Sequence, residues 1–287
     1  MEIFTTPAAM QAWSSRQRAA GHRIGFVPTM GALHDGHRAL IDDAALRADL
    51  VVVSIFVNPL QFNEAADFDG YPRPIDDDVA ACAQAGVAAV FAPTAAAMYP
   101  PGFQTRVVPG PLGDVMEGPN RPGHFEGVVT VVAKLFAAVR PDVAVFGQKD
   151  YQQLRIITQM AADLDLSIDV VGHPIVRDPD GLAKSSRNVR LSPSQRAAAV
   201  VVPQALDAAI AAAVTTDSSY DVVRAATVVI EAEPLASLEY VTVFDATDLT
   251  EITDLGAVER SPGAVRIAAA VWFGDVRLID NRDLFEP

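Results

Sequence analysis

A single cysteine, Cys82, occurs among the 287 residues. A lone thiol cannot close an internal disulfide or build a zinc cluster, and its alanine-rich surroundings read as a helix in which it is a buried spectator. Positive charge is also scarce: 22 Lys plus Arg stand against 36 Asp plus Glu, a formal charge of −14. A field of that sign repels phosphate backbones, so no nucleic-acid partner is expected. No apolar run reaches the roughly 18 to 20 residues that spanning a bilayer needs, so no membrane is expected either. The opening residues, MEIFTTPAAMQAW, place an acid at position 2 and carry no apolar core of the kind a secretory signal has. A reducing cytoplasm is the expected address. Internal repeats are absent, and 50% hydrophobic with 20% charged residues excludes a disordered or low-complexity chain.

What is present is an alternation. Short β-rich runs at 24–27, 51–57, 87–91 and 143–146 are continuous in apolar residues, the pattern of strands buried on both faces. Between them, segments at about 36–49, 75–85, 126–139 and 150–163 have helical spacing, with Leu154, Ile157, Ala161 and Leu164 on one stripe. Strands alternating with helices predict an α/β fold with a doubly wound, Rossmann-like parallel sheet, whose ligands sit beyond the carboxyl ends of the strands. After about residue 176 the texture changes. Helical stretches at about 193–214 and 219–232 precede strand-like runs at 238–244, 265–272 and 276–280, the last two joined by a Gly274-Asp275 turn. The chain therefore divides into a Rossmann-like domain, 1–176, expected to bind nucleotide and substrate, and a smaller C-terminal α+β domain, 177–287, expected to cover the site. Loops at about 58–74 and 93–124 are rich in Pro and Gly and long enough to be functional.

Four stretches could carry chemistry. VPTMGALHDGH (27–37) follows the first long strand and opens a helix, whose N-terminus favours a phosphate. His34 and His37 beside it could donate to phosphoryl oxygens; a metal site lacks a third His or Cys cluster, and plain helix capping is the alternative. FGQKDYQQ (146–153) again joins strand to helix, with Lys149 suited to a phosphate or merely solvated, Asp150 a ligand or a cap, and Gln153 on the same face as Asp150. GLAKSSRNVRLS (181–192) sets two hydroxyls between Lys184 and Arg187, a donor-rich loop for a triphosphate or an interdomain connection with capping serines. SIFVNPLQF (54–62) ends a strand in Asn58, Pro59 and Gln61, neutral amides that suit a small polar substrate.

Together with YPR, RPGHFEGV and the closing GDVRLIDN, these stretches resemble the pantothenate synthetases nearly end to end. His34-Asp35-Gly36-His37 alone is shared with nucleotidyltransferases and with H-I-G-H aminoacyl-tRNA synthetases. The resemblance implies an AMP-forming ligase that joins pantoate to β-alanine through a pantoyl adenylate, with ATP as substrate and Mg2+ bridging its phosphates. It assigns Met30, Gly31, Ala32, Leu33, His34, Asp35, Gly36 and His37 to the ATP site, His37 as proton donor and His34 as its partner, with Lys149 as a third catalytic group. Gly147, Gln148, Lys149, Asp150, Val176, Lys184, Ser185, Ser186 and Arg187 would complete the nucleotide site. Gln61 and Gln153 match pantoate-binding glutamines, Gln61 also near β-alanine, with Asn58 beside them. Asp77 and Asp78, in the acidic run that Asp76 begins, are the metal-ligand candidates, and a homodimer is implied. Two positions depart from the family pattern: Gln148 stands for a usual Glu and Lys184 for a usual apolar residue. Lys184 is accordingly expected either to strengthen ATP binding or to point into solvent. The rival readings are an adenylyltransferase acting on a phosphorylated substrate, which needs more basic residues than Asn58, Gln61 and Gln153 provide, and a nucleotide-binding module without catalysis.

Overall fold

The computed structural model describes residues 1–63 and 68–285. The chain folds as two compact units, Met1–Gln148 with Gln152–Pro174, and Lys149–Tyr151 with Ile175–Pro287.

The first unit is a six-stranded sheet in the order β1-β4-β3-β2-β5-β6: β1 (Glu2–Phe4), β2 (Ile24–Thr29), β3 (Leu50–Ile55), β4 (Ala89–Phe91), β5 (Val143–Gly147) and β6 (Asp169–His173). Every pairing is parallel. Side chains alternate across the sheet, so the continuous apolar runs feed two cores. Ile24, Phe26, Val52, Ala144 and Phe146 face α1 (Pro7–Ala19), α4 (His124–Val139) and α5 (Tyr151–Asp163). Val27, Val51, Val53, Val143 and Val145 face α2 (Asp35–Arg47) and α3 (Ile75–Gln84). The chain winds one way from β2 through β3 to β4 and the other way from β5 to β6. Adjacent β2 and β5 therefore mark the topological switch point, where ligands of such sheets bind.

Three elements escape the sequence pattern. β1 is a three-residue edge strand with two exposed residues, and β6 is a half-buried edge. The amphipathic stripe of α1 is thin, since only Met10, Trp13 and Ser14 are buried, and its start is set by Thr6 Oγ1 accepting from the Ala9 N–H. The expected loop at 58–74 includes residues 64–67, which lie outside the described residues.

The second unit carries a three-stranded antiparallel sheet in the order β7 (Ser237–Asp245), β8 (Val265–Phe273), β9 (Val276–Asp283). The Gly274-Asp275 turn joins β8 to β9, with Gly274 at φ 64°. The helical stretch expected at 193–214 is broken into α6 (Pro193–Ala198) and α7 (Val201–Ala213). Pro203 has no N–H to continue the ladder, and Val202 turns back to bond the Ala199 carbonyl. α8 (Ser219–Glu231) completes the layer. Contrary to the expectation from composition, Pro193–Ala213 is long and apolar enough to cross a membrane. Its Val201, Val202, Ala205, Leu206 and Ala209 instead fill the second core, which is why a buried helix pair reads as a span.

Candidate active site

The loop that leaves β2 is bent by two successive residues in the left-handed region, Gly31 at φ 84° and Ala32 at φ 52°. Alanine resists that conformation, so something has to hold it there. Asp78 does: its Oδ2 accepts the Ala32 N–H at 2.8 Å and its Oδ1 the Leu33 N–H at 2.7 Å, from a side chain that is 3% exposed. A Cβ on Gly31 would lie 2.7 Å from Asp78 Oδ2, so glycine is required for this approach. Asp78, a metal-ligand candidate from sequence, thus anchors the loop with both oxygens, while Asp77 is exposed in the first turn of α3. No group of three or more His, Cys, Asp or Glu capable of holding a metal occurs among the described residues.

α2 then starts with a capping box made of two histidines. His34 is the N-cap: its Nδ1 accepts the Gly36 N–H at 3.1 Å, and His37 Nδ1 accepts the His34 N–H at 3.3 Å. The rings lie 4.1 Å apart between centroids. A nitrogen that accepts a hydrogen bond carries no proton, so in each neutral ring the proton resides on Nε2. The caps therefore fix the tautomer, and each ring can donate from Nε2.

At the end of β3, Asn58 is 1% exposed and its amide is fully engaged. Nδ2 donates to Gln61 Oε1 and to the Gly127 carbonyl, each at 3.0 Å, and Oδ1 accepts from Tyr99 Oη at 2.7 Å and from the Leu60 N–H at 3.3 Å. Asn58, expected beside the pantoate-binding glutamines, is joined to Gln61 by this amide pair. The Gln61 Nε2 donates to Met30 Sδ at 3.1 Å, which brings the fourth stretch against the first. The Gln61 main chain is held as well: His124 Nδ1 lies 2.8 Å from the Gln61 carbonyl, and Arg121 Nη1 lies 3.1 Å from His124 Nε2. A guanidinium only donates, so Nε2 accepts and Nδ1–H donates a hydrogen bond to the Gln61 carbonyl. Tyr99, to which motif reading gives no role, and His124, which it quotes without one, are positioning residues, as is Asp78, which it offers only as a metal-ligand candidate. Gln153 is half-buried on the first turn of α5. Its neighbour Gln152 is buried and braces the chain at Leu112, Val115 and Glu117.

β5 ends at Gly147, and Gln148 donates to the Gly172 carbonyl at 3.3 Å. Lys149 and Asp150 belong to the second unit. Asn281 donates to the Lys149 carbonyl at 2.9 Å, and Tyr151 donates to the Ala246 carbonyl at 2.9 Å beneath the Arg266 guanidinium. Lys149 Nζ lies 3.9 Å from Asp150 Oδ2, a loose pair, with Asp150 exposed. In the same unit a hairpin joins Val176 to Lys184 through the Lys184 N–H···O=C Val176 bond, and Arg177 holds Asp280 with two bonds of 2.7 and 2.9 Å. The closing GDVRLIDN motif therefore braces this hairpin and the main chain at Lys149. Ser185, Ser186 and Arg187 follow the hairpin half-buried, with Ser185 Oγ accepting the Arg187 N–H. Lys184 is half-buried and paired: Nζ lies 2.8 Å from Asp178 Oδ1, and Arg196 holds the other Asp178 oxygen.

The profile of the family described as Pantoate-beta-alanine ligase matches residues 2–283. A pantothenate synthetase from Acidothermus cellulolyticus is 52% identical over 258 residues, covering 90% of this chain and 84% of the relative. The crystal structure of pantothenate synthetase from Thermus thermophilus has a TM-score of 0.92 at 43% identity and covers 100% of both chains. That of pantoate-beta-alanine ligase from Francisella tularensis, complexed with beta-gamma ATP and beta-alanine, has a TM-score of 0.80 at 32% identity over 100% of this chain and 99% of that one.

Proposed function

The chain belongs to the pantoate-beta-alanine ligase family, and from that premise we propose how its own residues perform the ATP-dependent condensation of (R)-pantoate with β-alanine. The reaction yields pantothenate, AMP and pyrophosphate. In the first step a pantoate carboxylate oxygen attacks the α-phosphorus of ATP, the bond to the β-phosphate oxygen breaks, and pyrophosphate leaves. In the second, the β-alanine amine attacks the acyl carbon of the pantoyl adenylate, AMP departs, and the amine loses its proton.

The histidine pair is the observation on which this assignment of roles rests. With both Nδ1 atoms accepting backbone N–H groups, Nε2–H is the group by which His34 and His37 would donate to phosphoryl oxygens as negative charge moves onto the leaving pyrophosphate. His37 is the proton donor. The turn at Gly31 and Ala32, with Leu33, Asp35 and Gly36, lines the site of the same nucleotide. Lys149, Ser185, Ser186 and Arg187 bind its phosphates, and Gly147, Gln148, Asp150 and Val176 its remaining groups. Gln61 and Gln153 bind pantoate, and Gln61 also meets β-alanine. Lys184 serves through its place in the hairpin, its side chain being committed to Asp178.

The described residues do not form a metal cage of their own. Mg2+ accordingly enters as a counter-ion on the phosphates of ATP, and no step is assigned to it. A cytoplasmic homodimer that takes neither nucleic acid nor membrane follows from the resemblance together with the acidic composition.

Exchange of labelled pyrophosphate into ATP tests the order of steps. It should require pantoate and proceed without β-alanine. Exchange supported by β-alanine alone would overturn the reading.

A further inference from the structure

The amides beneath the pantoate-binding position form a directional chain. An amide oxygen only accepts, so Tyr99 Oη is the donor in its 2.7 Å bond to Asn58 Oδ1. The Gly127 carbonyl, 3.0 Å from Asn58 Nδ2, fixes which end of that amide is the NH2 group. Its second proton then goes to Gln61 Oε1, which forces Gln61 Nε2 away from Asn58 and toward Met30 Sδ. A Cβ on Gly127 would collide with the Leu60 carbonyl at 2.2 Å, so glycine lets α4 approach closely enough for its carbonyl to take this part. Tyr99 sits at the C-terminal end of the short helix Ala95–Met98, between the rings of Phe56 and Phe103. Burial pushes its hydroxyl pKa well up, so it keeps the proton it donates.

We propose that Tyr99 is a positioning residue which, through the Asn58 amide, sets the Gln61 side chain so that an NH2 group and not a carbonyl faces pantoate. Gln61 then donates to an oxygen of pantoate, its carboxylate or a hydroxyl. Rotating the Gln61 amide by half a turn would put its own NH2 against the Asn58 NH2, donor against donor, and would present the ligand with an acceptor where a donor is needed. Asn58 blocks that rotation, and the Tyr99 hydroxyl together with Leu60 N–H holds Asn58. This inference rests on the reading that Gln61 binds pantoate.

Steady-state kinetics in all three substrates on Tyr99→Phe, Gln61→Ala and the double variant separate the two claims. Tyr99→Phe should raise the pantoate KM about 3- to 10-fold, the effect of one neutral hydrogen bond, while the ATP KM stays where it was. In the double variant the pantoate KM should be no higher than in Gln61→Ala alone, because Tyr99 acts only through Gln61. A normal pantoate KM in Tyr99→Phe, a parallel rise in every KM, or effects of the two substitutions that simply multiply would each overturn the positioning role. An unchanged pantoate KM in Gln61→Ala would instead overturn the reading of Gln61 itself. Gln61→Glu keeps the acceptor for Asn58 and removes the donor; it should impair pantoate use at least as much as Gln61→Ala, and near-normal use would show that the ligand does not need the donor.

Discussion

At His37 the two ring nitrogens have different tasks in the proposed reaction, Nδ1 accepting the His34 N–H and Nε2 donating to phosphate. The tasks can be separated because the Oδ1 of asparagine stands the same number of bonds from the backbone as Nδ1. His37→Asn should keep the cap and lose the donor; His37→Ala loses both. Turnover should fall about 10²- to 10³-fold in each, the usual effect of removing one transition-state donor. Thermal unfolding should find the alanine variant the less stable by about 1 kcal/mol, the value of one hydrogen bond. Equal stabilities with unequal turnover would make the cap irrelevant. Lys184 presents the opposite case, a charge whose partner the sequence did not reveal. Paired at 2.8 Å with Asp178, it acts on a distant phosphate as one end of a dipole and not as a full charge. Lys184→Met should therefore shift ATP affinity by no more than about threefold, at low and high salt alike. A loss above tenfold that shrinks with salt would mean the ammonium reaches the nucleotide.

α2 is secured at its start by the histidine cap and further along by Asp43, whose carboxylate takes Arg47 Nε at 2.7 Å and His173 Nδ1, at the end of β6, at 3.0 Å. Burial works against the charged Asp43, but the hydrogen bonds from Arg47 and His173 outweigh it and hold the pKa below the ordinary 3.8. A depressed carboxylate stabilises the fold above its unfolded pKa, and that contribution disappears as pH falls through the lower folded value. Asp43→Asn should thus melt lower than wild type at pH 7, by an amount on the order of 1 to 3 kcal/mol, and the gap should narrow below about pH 3.8. A gap independent of pH would mean that packing, not charge, is lost. The edge strand β6 that this contact ties down had no periodic signature in the sequence, as had neither β1 nor α1. Short edge elements bury too few residues to write a pattern. The long central strands and α4 and α5 did so, and their positions agree with the sequence reading to within a few residues.

Across the whole molecule, Cys82 reports on integrity. Burial, and after it the nearby Asp78 carboxylate, push the thiol up to about 11. At pH 8 the thiolate fraction is then only about one in a thousand. Alkylation of the native protein should be negligible and should appear only as the first unit unfolds, while Cys82→Ser should leave catalysis unchanged. Rapid labelling of the fully active enzyme would contradict its place among Ile41, Val53 and Val90 in the core beneath α2 and α3.

The sequence by itself determined the fold class, the change of texture near residue 176, the family and hence the reaction. It could do so because buried central strands are written as unbroken apolar runs, and because phosphate chemistry calls for histidines, lysine and hydroxyls where strands meet helices. Tertiary structure alone decided which partners those residues find. Asp78 anchors the loop because two backbone N–H groups 45 and 46 positions away in sequence reach its oxygens. The Asn58 amide is held by Tyr99 and Gly127, 41 and 69 positions away. A hydrogen bond is satisfied by whatever lies about 3 Å off, and no spacing along the chain encodes partners brought together only by folding.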